Sequence, residues 1–243
     1  MSAALPNARW LALYLPRIRT DRLIRSGRGP SDDRPLAVYS KESGAYQLKG
    51  IDARASALGL TLAMSLADAR AMQPKLEAVE AEPEEDARAL DNIAAWCERF
   101  TPIVVVDPPE GLFLDISGCA HLFGGEEKLR AEIVTRLQAQ GFGARAAIAP
   151  TPGSAWAFAR YRTLSPSPRG RGGEEDWQAE LAALPVEALR LDPNAAALLR
   201  RLGLKTIAQI LHAPRSSFTA RAGENAMLRL DQALGRTREA LTP

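Results

Sequence analysis

Apolar positions along this 243-residue chain follow two rhythms, one short and continuous, the other spaced by three and four. WLALYL at 10–15 is a short apolar run stopped by Pro16, which predicts a buried strand. LAVY at 36–39 follows a turn segment rich in Gly, Pro and Asp and reads the same way. So do IVVV at 103–106, LFLDI at 112–116 and ARAAIA at 144–149. Helical spacing fills the intervals. Residues 51–74 carry Ala-rich pieces broken at Gly59 and ended by Pro74. Ala87, Leu90, Ala94, Cys97 and Phe100 form one apolar stripe, and Leu129, Ile133 and Leu137 line a helix starting near Glu126. The acidic run at 77–86 reads as a solvated loop, with a partner-docking surface as the sharper alternative.

Strand, strand, helix and strand in that order predict an α+β sheet covered by helices rather than a doubly wound sheet. SPSPRGRGGEED at 165–176 has the Pro/Gly/Arg composition of a linker and marks the clearest boundary. Everything beyond it reads as helix, including LRRLGLKTIAQIL at 199–211, and no internal repeat is visible.

Composition changes this picture little. Hydrophobic residues at 46% and charged residues at 25% belong to a folded, soluble chain. Cys97 and Cys119 have no ligand spacing, which argues against zinc or a disulfide framework and fits a reducing cytosol. The first residues lack a signal-peptide layout, and no apolar run reaches the ~20 residues of a membrane span, so the expected location is cytoplasmic. Net charge is +2, yet residues 188–243 hold nine Lys and Arg against four Asp and Glu. That excess suits either nucleic acid or an ordinary solvated face.

The chemistry-bearing stretch is DPPEGLFLDISGCAHLFGGE at 107–126. Asp107, Glu110 and Asp115 beside a strand are residue types that a metal-dependent phosphoryl-transfer site needs. Glu110 and Asp115 are an odd number apart, so a regular strand puts them on opposite faces. Asp115 suits a cap on nearby backbone N–H groups in DISG. His121 lacks a nucleophile or metal partner in sequence, and Gly124-Gly125 reads as a turn into a helix. Trp156 and Phe158 suit packing under the sheet, with base stacking as the alternative.

Several stretches, taken together and in order, resemble the Y-family DNA polymerases. IDARASALGLTLAMSLADARAMQP resembles their fingers segment, GLFLDISG their palm hairpin, AAIAPTPGSAWAFAR a helix entry, and LPVEAL followed by LLRRLGLKTIAQIL the thumb with its helix-hairpin-helix element. LALYLPRIRTDR and GCAHLFGGE look most like the ImuB-like branch of that family. The resemblance implies a palm at 1–20 and 83–164, fingers at 21–82, a linker at 165–176 and an all-helical thumb at 177–243, with the little finger absent.

The resemblance also locates what this chain has lost. An active member's two first-strand aspartates fall on Leu13 and Leu15, where period-two spacing makes an apolar face. Its adjacent Asp-Glu pair falls on Glu110 and Gly111. Arg54 matches an arginine that touches the triphosphate, a vestigial nucleotide contact or a surface ion pair, while the Asn-Lys pair falls on Thr151 and Pro152, and a second Lys on Trp156. The thumb's phosphate-binding turn falls near Leu191-Asp192-Pro193, which offers fewer N–H donors. These replacements predict no metal site and no cofactor. Arg160, Arg162, Arg169, Arg171 and Lys205 are the DNA-binding candidates, the arginines being without a nearby acid in sequence before Glu174.

By resemblance the chain is expected to be a non-catalytic scaffold in damage-induced translesion synthesis. Its implied partners are a RecA-like accessory protein of the ImuA type, an error-prone C-family polymerase and the sliding clamp. No clamp-binding peptide is evident, so clamp contact is expected from a region beyond residue 243 and the chain reads as truncated. Two alternatives stay open. One is a nucleotidyltransferase with ligands relocated to Asp107, Glu110, Asp115 or Asp21, and the other is a stand-alone DNA-binding module.

Overall fold

The computed structural model describes residues 8–42, 44–162, 176–212 and 223–242. The expected linker lies outside them apart from Asp176, as do Arg169 and Arg171. The α+β class predicted from sequence is the class observed. Elements run β1 (Trp10–Tyr14), α1 (Ile18–Arg25), β2 (Leu36–Glu42), β3 (Ala45–Ile51), α2 (Ala53–Ala57), α3 (Leu66–Met72), β4 (Glu77–Glu80), α4 (Pro83–Cys97), β5 (Val104–Asp107) and β6 (Gly111–Asp115). They continue with α5 (Glu126–Ala139), β7 (Arg145–Ala149), α6 (Pro152–Tyr161), α7 (Asp176–Ala183), α8 (Pro193–Arg201), α9 (Ile207–Leu211) and α10 (Glu224–Ala233).

Alternation in β1 sorts its side chains between two cores. Leu11 and Leu13, followed by Leu15, join Leu112 and Leu114 of β6 against α4 and α5, where Leu90, Ile93, Cys97, Leu129, Ile133 and Leu137 meet them. Ala12 and Phe113 face the other way, toward Ala155 and Phe158 of α6 and toward Leu181, Leu199, Ile207 and Leu230 of the C-terminal helices. The sheet order is β5-β6-β1-β7 with β1 antiparallel to both neighbours, pairing Leu13 with Leu112 and Tyr14 with Gly111. A helical layer on each face explains why its central strands read as continuous apolar runs.

A second sheet, ordered β3-β2-β4, has its own small core of Ala37, Leu48, Ala55, Leu60, Leu66, Ala69 and Leu76. Two of its strands escaped the hydrophobic reading. β3 interleaves Gln47 and Lys49 with Leu48, and β4 is short and flanked by glutamates. The acidic run at 77–86 is therefore not a solvated loop. Glu77–Glu80 pairs in parallel with β2, and Glu84, Glu85 and Asp86 form the first turn of α4, where the helix dipole favours acids. Helix α1 is likewise hidden in the sequence, because its arginines outnumber the buried Ile18 and Leu23, which enter separate cores. Among the described residues no helix is long and apolar enough to cross a membrane.

Candidate functional site

The β5–β6 hairpin closes with Asp107 opposite Gly111, and Tyr14 on β1 sits beside Gly111. Helix α6 delivers its side chains to this point. Thr151 caps it in a reciprocal arrangement with Ser154, and Trp156 and Arg160, four residues apart, share the face toward the hairpin. Trp156 Nε1 donates to Asp107 Oδ2 at 2.9 Å, and Arg160 Nη2 donates to the same oxygen at 3.3 Å. The Arg160 guanidinium lies 4.4 Å from the Tyr14 ring centroid and 4.1 Å from that of Trp156. From the C-terminal region Arg190 Nη2 donates to Asp107 Oδ1 at 2.9 Å. Arg190 Nη1 and Arg229 Nη1 both reach Glu239 Oε1, at 2.6 and 2.8 Å.

Glu110 stands just before β6, and its carbonyl accepts the Leu15 N–H at 2.8 Å. Its carboxylate lies 3.8 Å from Arg19 Nη1. Burial raises the Glu110 pKa, with the Arg19 and Arg160 charges acting against it. Burial likewise raises the Tyr14 pKa, and Glu110 adds to the effect. Arg160 is lowered by burial, while Asp107 and Glu110 favour its charge. Two carboxylates thus converge here, with a guanidinium beside them.

A two-metal site needs several carboxylate oxygens free to converge on the ions. This arrangement does not fit one. Leu13 and Leu15 are fully buried in the core against α4 and α5. A Cβ at Gly111 would lie 2.8 Å from both Arg160 Nη2 and Asp107 Oδ2, so those groups already fill the space a longer side chain would need. Both Asp107 oxygens are engaged by Arg160, Arg190 and Trp156. Asp115, at the far end of β6 opposite Trp10, accepts the Ser117 N–H at 2.9 Å in the capping role its DISG context suggested. Asp21 accepts the Gly143 N–H at 2.7 Å, and burial raises its pKa. Among the described residues no three His, Cys, Asp or Glu side chains group so as to hold a metal ion.

The remaining candidates fall elsewhere. Arg54 on α2 pairs with Asp33 at 2.7 Å on the surface. Arg162 bonds Glu180 at 2.8 Å and stacks over Phe158, and Lys205 is exposed between α8 and α9. The arginines flanking the linker had no acidic partner nearby in sequence, but folding supplies Arg160 with Asp107 from 53 positions away. Thr151 and Pro152 open α6, and Asp192 caps α8 through the Asn194 and Ala195 N–H groups. Arg190, Arg229 and Glu239 carried no sequence signal. Asp107, Glu110 and Arg160 are candidates from the sequence, and the four-residue spacing of Trp156 and Arg160 is the local signal that could have joined a helix to the hairpin.

A family model described as the impB/mucB/samB family matches residues 31–160, more than half of the chain. Protein ImuB of Caulobacter vibrioides, strain NA1000 / CB15N, is 46% identical over 186 residues, covering 76% of this chain and 40% of that protein. ImuB of strain ATCC 19089 gives the same figures, so the chain spans about 40% of the length of these curated relatives. DinB from Sulfolobus solfataricus superposes with a TM-score of 0.70 at 16% identity, over 96% of this chain and 69% of that one. The Dbh DNA polymerase in its insertion ternary complex gives 0.72 at 15%, with the same coverage. Two separate sheets and these matches agree: the chain has a Y-family polymerase fold and belongs to the impB/mucB/samB family.

Proposed function

We propose that this chain is the polymerase-like part of a scaffold for damage-induced translesion synthesis that performs no phosphoryl transfer itself. The observation that carries this reading is the occupancy of Asp107 by Arg160, Arg190 and Trp156 over a glycine whose Cβ position is crowded by Arg160 and Asp107. Synthesis then falls to an error-prone C-family polymerase, with a RecA-like protein of the ImuA type and the sliding clamp as further partners, in the cytoplasm. In this reading residues 1–20 and 83–164 act as palm, 21–82 as fingers and 177–243 as thumb. Arg162, Arg169, Arg171 and Lys205 supply DNA contact in this reading, with Arg160 held inside. The similarity to ImuB supports the assignment of partners.

The test pairs two assays on the purified protein. Primer extension with Mg²⁺ or Mn²⁺ is expected to give no product, and co-purification with the C-family polymerase is expected to succeed. Extension that disappears in Glu110→Gln or Asp107→Asn would overturn the reading. For the DNA contacts, log affinity against log salt is expected to flatten by roughly one to two units when Arg169 and Arg171 become Ala, in line with about 0.9 per phosphate contact on duplex DNA.

A further inference from the structure

We propose that the Arg160 and Arg190 guanidinium groups are a built-in substitute for solution cations, and that through Asp107 they clamp the C-terminal helices onto the four-stranded sheet in one pose. The inference deepens the non-catalytic reading above and rests on it. It begins with charge. Arg160, Arg190 and Arg229 face Asp107, Glu110 and Glu239 in one connected array. Arg19, 3.8 Å from Glu110, adds a fourth guanidinium, so these carboxylates are matched by cations from within the chain. The side chains of Asp107, Arg160, Arg190 and Glu239 are 13%, 10%, 17% and 5% exposed, so water screens these charges little.

The array also joins parts of the chain that are distant in sequence. Asp107 belongs to β5, Arg160 to α6, Arg190 follows the 3-10 turn Val186–Leu189, and Arg229 lies on α10. Arg190 adopts a left-handed backbone at φ 57°, a conformation unfavourable for a non-glycine residue. Its two-way bond to Asp107 and Glu239 offsets that cost. Arg160 Nη1 is buried with no hydrogen-bond partner among the described residues, so beyond the Nη2 bond to Asp107 the group is held by the Tyr14 and Trp156 ring faces and by charge, as a lodged cation would be. Helix α10 then seats closely on α6. Thr151 Oγ1 donates to the Ala233 carbonyl at 2.9 Å, and a Cβ on Gly153 would lie 3.0 Å from Ala233 Cα.

The experiment measures amide exchange and thermal unfolding on the intact chain, with millimolar Mn²⁺ or with EDTA. Wild type is expected to be indifferent to Mn²⁺. Arg190→Met is expected to speed exchange in Glu224–Ala233 and Val186–Leu189 by about tenfold or more while α4 and α5 stay as in wild type. Arg160→Met is expected to gain a Mn²⁺-dependent rise in melting temperature, because it removes the guanidinium that Asp107 and Glu110 share and leaves only Arg190 beside the one and Arg19 beside the other. Arg160→Lys, which keeps the charge and guards against simple misfolding, is expected to remain Mn²⁺-indifferent. Unchanged exchange in Arg190→Met, or no Mn²⁺ response in Arg160→Met, overturns the inference and leaves the non-catalytic reading standing. Mn²⁺ stabilisation of wild type that disappears in Asp107→Asn overturns both.

Discussion

A methyl group at Gly111 would meet Arg160 Nη2 and Asp107 Oδ2 at 2.8 Å, closer than a carbon normally approaches either. Gly111→Ala therefore has to push the ion pair away from the hairpin or bend the hairpin itself. Overpacking of this kind costs roughly 1–3 kcal/mol, and urea unfolding of the two proteins side by side is expected to show it. An equal or higher midpoint for the alanine variant would mean that the pair yields freely. The resemblance had marked Gly111 as a lost acid. Folding adds that the lost volume is occupied, so glycine here is a requirement of the ion pair as well as the absence of a ligand.

Helices α1 and α4 show how charge sets the pose of whole elements. Arg22 bonds Asp86 at 2.9 Å and Glu82 at 3.1 Å, while Arg28 reaches Glu82 at 2.8 Å. Arg19, one turn earlier, reaches Asp86, Glu110 and the Lys49 carbonyl, tying α4, the hairpin and β3 together. Arg28, and then Arg22, hold the Glu82 carboxyl down from its usual 4.5 to about 2. A depressed carboxylate contributes stability above its unfolded pKa, and that stability is lost as pH falls toward the folded value. Glu82→Gln is thus expected to lower the urea midpoint at neutral pH, with the gap from wild type closing between 4.5 and about 2. A gap that persists unchanged at the acid end would assign the effect to packing instead of charge.

Across the whole molecule, one sheet separates two cores that respond differently to mutation. The core of Leu13, Leu112, Leu129 and Ile133 lies wholly between the sheet and α4 and α5. The core of Phe113, Phe158, Leu199 and Leu230 depends on the C-terminal helices staying docked. Gly153→Ala places a methyl group against the Ala233 backbone and is expected to cost about 1–2 kcal/mol. Amide exchange should report the loss in α10 and spare α5, and a uniform loss across both would show that the two faces unfold as one unit.

The sequence by itself determined the strands of the four-stranded sheet, the helices α4 and α5, and the apolar character of Leu13 and Leu15. Each of these depends on near neighbours, through period-two or period-3.6 spacing, which a chain displays without folding. It hid β3, β4 and α1, whose charged residues find partners only across the fold. What the tertiary structure alone decided is the fate of the hairpin carboxylates. Asp107 meets Arg160 and Arg190 from 53 and 83 positions away, and no local spacing encodes a meeting at that separation. The same acids that would suit a metal in isolation are bound by arginines because folding brings those arginines within reach and removes the water that would have screened them.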